Sequence, residues 1–251
     1  MSEHTYDMLI APDFSPERFA GWHMFNTLMQ KRADINMHLN TPNSYTEQHE
    51  LIEAGNIDII YANPFDAAAL IREKGYRAIA RPIAKSDEMV IVSSAKSEVA
   101  TLEDIANGST VAMADNRDVK LIGLRLLEAV DLTEADLKWE VTENYQAAAR
   151  QVIKGDAQVG FFLAEIYHGL SRLTKTQLTV LIESDLADIS HVLLIKEDLA
   201  GADKLTQAIL TFHDDADGKE ALAELGIPQG FEAMDEEAAE FMIDLMQTLL
   251  D

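Results

Sequence analysis

Short, almost wholly apolar runs alternate along this chain with longer stretches in which apolar residues recur at helical spacing. The run YDMLIA at 6–11 predicts a strand, and Pro12, Asp13, Phe14, Ser15 and Pro16 make a turn into a helix over about 16–32. Ser15 is placed to cap that helix and Pro16 to open it. Phe19, Trp22, Phe25 and Met29 fall on one helical face and are expected in the core. Residues 35–39 predict a second strand. The sequence Ser44-Tyr45-Thr46-Glu47 fits a capping box that opens a helix over 45–54, closed by Gly55. A buried strand at 57–61 stops at Ala62-Asn63-Pro64, and a helix over 64–74 begins at once. Asn63 is a good N-cap, Pro64 suits the first helical position, and Asp66 complements the helix dipole.

Residues 76–83 and 88–94 read as a long strand passing out of the first sheet. Beyond it the rhythm repeats. Thr101 with Asp104 predicts a capped helix start, 109–114 a strand, 118–130 a helix, 138–142 a strand and 144–154 a helix closed by Gly155. Strand 157–163, a helix over about 165–172, and strands 178–182 and 191–195 follow. The remainder, 201–251, reads as helical, with an apolar stripe at Phe241, Ile243, Leu245, Met246 and Leu249. Strand and helix in alternation imply right-handed parallel crossovers, hence an α/β fold. No Gly-, Ser- or Pro-rich linker separates the two similar stretches, so the chain is expected to pass between them through strands.

Composition narrows the functional classes. Forty-four acidic against twenty basic side chains give a formal charge of −24, which repels nucleic acid and anionic lipid. Such an excess means a strongly solvated surface, and a salt-adapted source would explain it. No run of about 18 apolar residues is present, so no membrane-spanning segment is expected. Cysteine is absent, which excludes thiol chemistry. The first residues, MSEHTYDMLIAPDF, lack a basic region followed by an apolar one. As the sequence stands this predicts a cytoplasmic protein; a mature chain whose leader has been removed would be periplasmic.

No HExxH, HxH, GxSxG, GxGxxG or P-loop pattern occurs, so neither a catalytic site nor a cofactor or metal is expected. Residues 213–224, HDDADGKEALAE, nearly match a calcium loop, but His213 stands where the first Asp ligand belongs and Glu220 where an apolar residue does. A helix capped at Asp217 is the simpler reading. Polar and aromatic residues gather instead at the predicted strand ends: Phe14, Ser15, Tyr45, Asn63, Ser86, 115–120, Tyr145, Glu165, Ser190 and His191. In open α/β sheets ligands bind beyond the carboxyl ends of the strands.

The segments SYTEQHELIEAGNIDIIYANPFDAAAL, VIVSSAKSEVATLEDIANGSTVAMAD, NYQAAARQVIKGDAQVGFF and DGKEALAELGIPQGFEAMDEEAAEFM, in this order and spacing, carry a resemblance. The chain resembles the phosphate/phosphite/phosphonate-type solute-binding proteins of ABC transporters, a branch of the type II periplasmic binding-protein fold. The resemblance implies two α/β lobes joined by two crossover strands, near 84–87 and 189–192. Lobe 1 would comprise 1–84 and 192–251, and lobe 2 would comprise 85–191, with hinge-type closure on a ligand. It further implies a non-enzymatic protein whose partners are a small polar solute and an ABC transporter permease.

Tyr45 matches the family's ligand-facing tyrosine and Asn63 its strand-end turn. The Ser-Thr-Ser-Gly run that holds the oxyanion in phosphonate binders is replaced after Asp115 by Asn116, Arg117, Asp118, Val119 and Lys120. An expected tyrosine is Ser86, an expected histidine is Tyr145, an acidic residue of the last crossover appears as Ser190 or His191, and Glu165 is retained. A phosphonate dianion would face Asp118 and Glu165 with only Arg117 or Lys120 to compensate, which is costly when buried. The expectation is therefore a binding protein for a solute that is not a simple phosphonate. The alternative is a cytoplasmic metabolite-sensing or accessory protein with a regulatory partner. An enzyme resembling the menaquinone-pathway enzymes of this architecture finds no catalytic pair to support it.

Overall fold

The computed structural model describes residues 5–12, 18–185 and 189–250. Along the chain run β1 (Thr5–Ile10), α1 (Phe19–Ala33), β2 (Asn36–Asn40), α2 (Tyr45–Glu53), β3 (Ile59–Ala62), α3 (Pro64–Glu73) and β4 (Tyr76–Pro82). Then come β5 (Met89–Ser94), β6 (Thr110–Ala114), α4 (Arg117–Leu127), β7 (Lys138–Thr142), α5 (Tyr145–Lys154), β8 (Val159–Leu163), α6 (Ala164–Gly169), α7 (Arg172–Lys175) and β9 (Leu178–Glu183). The chain closes with β10 (Val192–Lys196), α8 (Ala202–Leu210), α9 (Ala216–Glu224), β11 (Phe231–Ala233) and α10 (Glu236–Leu250). Two compact units result: Met1–Ser86 with Ser190–Gln247, and Asp87–Ile189 with Thr248–Asp251.

The first unit holds a six-stranded sheet in the order β11-β4-β10-β3-β1-β2. Strand β1 pairs in parallel with β2 and β3, whereas β10 is antiparallel to both β3 and β4. Both faces of this sheet are covered, and the period-2 alternation of the strands sorts their side chains between two cores. Met8, Ile10, Ile59, Tyr61, Leu193 and Ile195 face Trp22, Phe25 and Met29 of α1 together with Phe212. Leu9, Ile60, Ala62 and Leu194 face Leu70 of α3 and Met242 and Ile243 of α10. Glycine at 21 lets α1 and α9 approach, since a Cβ there would lie 2.9 Å from Leu225.

The second unit repeats the plan in five strands, β7-β6-β8-β5-β9. Strand β6 is parallel to β7 and β8, and β5 is antiparallel to β8 and β9. In each unit three parallel strands are followed by one antiparallel strand, β10 in the first and β5 in the second, each entered as the chain passes between the units. Its single core gathers Val90, Val92, Ile122, Val152, Phe161 and Phe162.

Several expectations change. Residues 76–94 are not one strand: β4 and β5 belong to different sheets, and Ala84 between them takes a left-handed conformation (φ 50°). The box at Thr101 and Asp104 forms, but it opens only a single 3-10 turn, Leu102–Asp104. Around α2, Ser44 caps as expected, while the Glu47 carboxylate accepts from the Asn43 N–H at 2.7 Å. Phe19 lies at the surface, and the segment after 201 contains the strand β11. The buried face of α10 is Ala239, Met242, Ile243 and Met246, and Phe241 is exposed. The cap at Ser15, with Phe14, lies outside the described residues.

Residues 213–224 form no calcium loop. Asp215, not Asp217, caps α9 by accepting from the Gly218 N–H at 2.8 Å, and Arg32 holds both its oxygens at 2.7 Å. The Gly218 N–H first, then the Arg32 guanidinium, hold this carboxyl below the usual range.

Candidate functional site

Each unit ends two of its parallel strands in side-chain-capped helix starts, and most of the candidate residues sit at the same strand ends. In the first unit β3 stops at Ala62 and α3 starts at Pro64, with Asn63 as cap. The Asn63 side-chain oxygen accepts from the Asp66 N–H at 2.8 Å, and its NH₂ donates to the Asp66 carboxylate at 3.1 Å. Gln48 donates to that same carboxylate oxygen at 2.6 Å. Gln48 lies three residues after Tyr45 and so on the same side of α2. The starts of α2 and α3 are thereby tied through half-buried Asp66 to two buried amides, Gln48 at 5% exposure and Asn63 at 1%. Tyr45 is half-buried in the first turn of α2.

Because β10 is antiparallel to β3, with Val192 opposite Ala62, its leading residues Ser190 and His191 fall at the same edge of the sheet. Ser190 is buried, and the His191 ring stacks on Tyr61 with centroids 5.1 Å apart and planes 25° apart. Tyr61 in turn lies 4.8 Å from Trp22. Ser86 is half-buried where the chain leaves this unit.

In the second unit the adjacent parallel strands β7, β6 and β8 lead into α5, α4 and α6. Asn116 caps α4 by accepting from the Val119 N–H at 3.0 Å, and Asn144 caps α5 by accepting from Ala147 at 2.9 Å. Such starts leave the first N–H groups directed outward along the helix axis, where they favour negative charge. Asn116 and Asp118 are buried and Arg117 is exposed between them. Tyr145 is buried at the start of α5, its ring 5.8 Å from Phe162, and Glu165 is exposed in the first turn of α6. The fold therefore gathers Tyr45, Asn63, Ser190 and His191 in one unit and Asn116, Arg117, Asp118, Tyr145 and Glu165 in the other. Lys120 is engaged elsewhere, 2.5 Å from Glu134 and with its ammonium 4.6 Å from the Trp139 ring centroid.

Sequence reasoning passed over Tyr61, Gln48, Glu88 and Ser184. Buried Gln48 could have been found from its spacing to Tyr45. The Ser184 hydroxyl donates to the Glu88 carboxylate and accepts from the Met89 N–H at 2.9 Å, a link across 95 residues of sequence with no local signal. Among the described residues no group of three or more His, Cys, Asp or Glu is placed to hold a metal ion, and no helix is long and apolar enough to cross a membrane.

Two α/β units of one plan, each closing two of its parallel strands with capped helix starts, define a solute-binding protein of the type II periplasmic architecture. The chain belongs to the family described as ABC transporter, phosphonate, periplasmic substrate-binding protein, matched over residues 8–239. Members of this family are binding proteins and not enzymes. No curated protein matches the chain in sequence.

Among solved structures it is similar to the binding protein component of an ABC phosphonate transporter from Pseudomonas aeruginosa, with TM-score 0.79 and 17% identity over 98% of this chain and 87% of that one. It is similar to PhnD1 from Prochlorococcus marinus in complex with methylphosphonate, with TM-score 0.80 and 13% identity over 98% of both chains. The periplasmic aliphatic sulphonate binding protein SsuA from Escherichia coli follows at TM-score 0.71 and 15% identity over 98% and 88%.

Proposed function

We propose that this protein binds a small polar solute that is zwitterionic or weakly anionic, and not a simple phosphonate dianion. The observation that carries this reading is the first turn of α4. Asp118 is buried there, so the positive end of that helix already faces the protein's own carboxylate. Lys120 is held by Glu134, which leaves Arg117 as the exposed cation of the turn. Relatives with this fold are described with methylphosphonate and as binding aliphatic sulphonates, so a tetrahedral oxyanion with a compensating positive group fits the family and these residues together.

In this reading Arg117 and the free N–H groups of α4 and α5 meet the oxyanion or carboxylate. Tyr45 and Tyr145 stack or donate, Ser86 and Ser190 hydrogen-bond, and Glu165 receives the cationic or hydroxyl group. His191, set on Tyr61, offers a ring nitrogen. Asn63 keeps one N–H for the solute after its bonds to Asp66. Solute contacts to both units would stabilise a closed arrangement, and an ABC transporter permease would take the loaded protein.

Titration calorimetry against phosphate, phosphite, methylphosphonate, ethanesulfonate and 2-aminoethylphosphonate tests the specificity. The zwitterion should bind at least about tenfold more tightly than methylphosphonate, a difference of about 1.4 kcal/mol. Asp118→Ser, which removes the carboxylate and adds a hydroxyl, should raise methylphosphonate affinity. Tight binding of methylphosphonate by the unaltered protein would overturn this reading of α4.

A further inference from the structure

Two segments of the second unit contain no acidic residue, as do residues 18–33 and 74–86 of the first. Residues 144–155 and 166–182 have no Asp or Glu, and carry Arg150 and Lys154 in the first and Arg172 and Lys175 in the second. These two segments meet across a groove of about 350 Å³ between α5 and the α6–α7 region. Its floor is Ala149, Ile153 and Leu170, and Arg150 and Lys154 stand on its lip. On α7 beside it, Leu173 is 74% exposed. Two cations of α5 beside an apolar floor, on a molecule of charge −24, mark a surface suited to an acidic, apolar ridge.

The chain itself carries such a ridge. On α10, whose charged residues are all acidic, Phe241 is 58% exposed. Glu237 lies four residues before it and Asp244 three after, so all three share one face. Arg72 reaches Glu240 at 3.9 Å and Asp244 at 3.5 Å, and one cation leaves the face net acidic. We propose that the groove docks the Phe241 face of α10 from a second copy of this chain. Ridge and groove are different surfaces, so the contact is heterologous and joins copies head to tail. Long-range repulsion between two −24 molecules opposes this at low ionic strength. At about 0.15 M salt, where screening acts over roughly 8 Å, that repulsion fades while contacts at close range persist. Association should accordingly peak at intermediate salt.

Sedimentation velocity of the full chain, from micromolar to several hundred micromolar at about 0.15 M salt, provides the test. Reversible, concentration-dependent self-association is expected. Phe241→Ala, and separately the pair Arg150→Glu with Lys154→Glu, should each weaken it by about tenfold or more, as loss of a central interface residue does. The pair Glu237→Lys with Asp244→Lys should weaken it too, and mixing that variant with the groove-reversed one should restore association. Circular dichroism checks that each variant is folded. A chain that stays monomeric throughout, or self-association that none of these changes affects, overturns the proposal. So does a monomer that sediments with phosphatidylglycerol vesicles and loses them on groove reversal, which would assign the groove to a lipid surface.

Discussion

At the scale of single residues, two buried polar side chains show how structural and binding roles separate. Asn63 spends its amide oxygen and one N–H on Asp66, so its first duty is to start α3. Asn63→Ala should cost about 1 kcal/mol in chemical denaturation. Asn63→Ser keeps a cap acceptor and loses the N–H. It should hold stability within about 0.5 kcal/mol of the original, since good caps differ little, while solute affinity in calorimetry falls severalfold. Equal affinity would make Asn63 a cap alone.

Tyr76 is a different case, because its hydroxyl is buried and donates to the Ile57 carbonyl at 2.7 Å. Burial first, then the Asp58 charge, push its ionisation from 10 to about 12. The folded state thus favours the neutral phenol, and this stabilisation is fully present below pH 10 and is lost as pH rises through 12. Tyr76→Phe should be about 1 kcal/mol less stable at neutral pH, the value of one hydrogen bond. Urea titrations repeated at rising pH should see that difference shrink above pH 10.

At the scale of elements, α4 is the helix whose first turn carries the reading of solute charge, and its seating is set by a glycine. A Cβ at Gly123 would lie 2.3 Å from the Phe161 ring on β8 and 2.9 Å from Met89 on β5. Gly123→Ala gains about 1 kcal/mol of helix propensity, but overpacking costs about 1–3 kcal/mol. A thermal melt should show a net loss, and a gain would mean that α4 is not held against Phe161. What was legible in the sequence follows the same division between local and distant causes. Helix starts at Ser44 and Asn63 were readable because a cap is a local device. Strands such as 59–62 were readable because burial on both faces leaves an unbroken apolar run. β11 was not, since three residues at the edge of β4 have no period of their own. On α10 the expected Ile243 and Met246 are buried, but Met242 takes the place expected of Phe241, because that helix has apolar residues on more than one face and the sheet beneath selects among them. Lys120 looked available to a solute until Glu134, fourteen residues away, was found to hold it.

For the whole molecule the governing quantity is charge. Ion pairs such as Arg72 with Asp244, Lys74 with Glu53 and Arg81 with Glu232 are largely exposed and contribute little each. They also consume basic side chains, and 44 acidic residues against 20 basic ones leave the fold with a formal charge of −24. The folded state concentrates that charge more than the unfolded chain does, so self-repulsion acts against folding. Two effects follow from added salt. Screening weakens the repulsion most steeply up to a few tenths molar, where the Debye length falls below about 8 Å. Excluded salts such as sulfate go on strengthening apolar burial beyond that point. The melting temperature should therefore rise with sodium chloride and then level, and rise further in sodium sulfate. Lowering the pH toward the isoelectric point of about 4.5 should raise it in low salt as well, until loss of carboxylates used as caps reverses the trend. Asp104, Asp136 and Asp215 are such carboxylates, each held below the usual range chiefly by hydrogen bonds: Asp104 and Asp215 by backbone N–H groups, Asp136 by the Thr133 hydroxyl. Their stabilisation is present above the ordinary carboxylate range and is lost as pH falls through their lowered values. Calorimetric melts over salt and pH would show this maximum. A melting temperature unchanged by salt at neutral pH would mean that the acidic excess is already neutralised, by bound cations or by an arrangement of charge that leaves no net repulsion to screen.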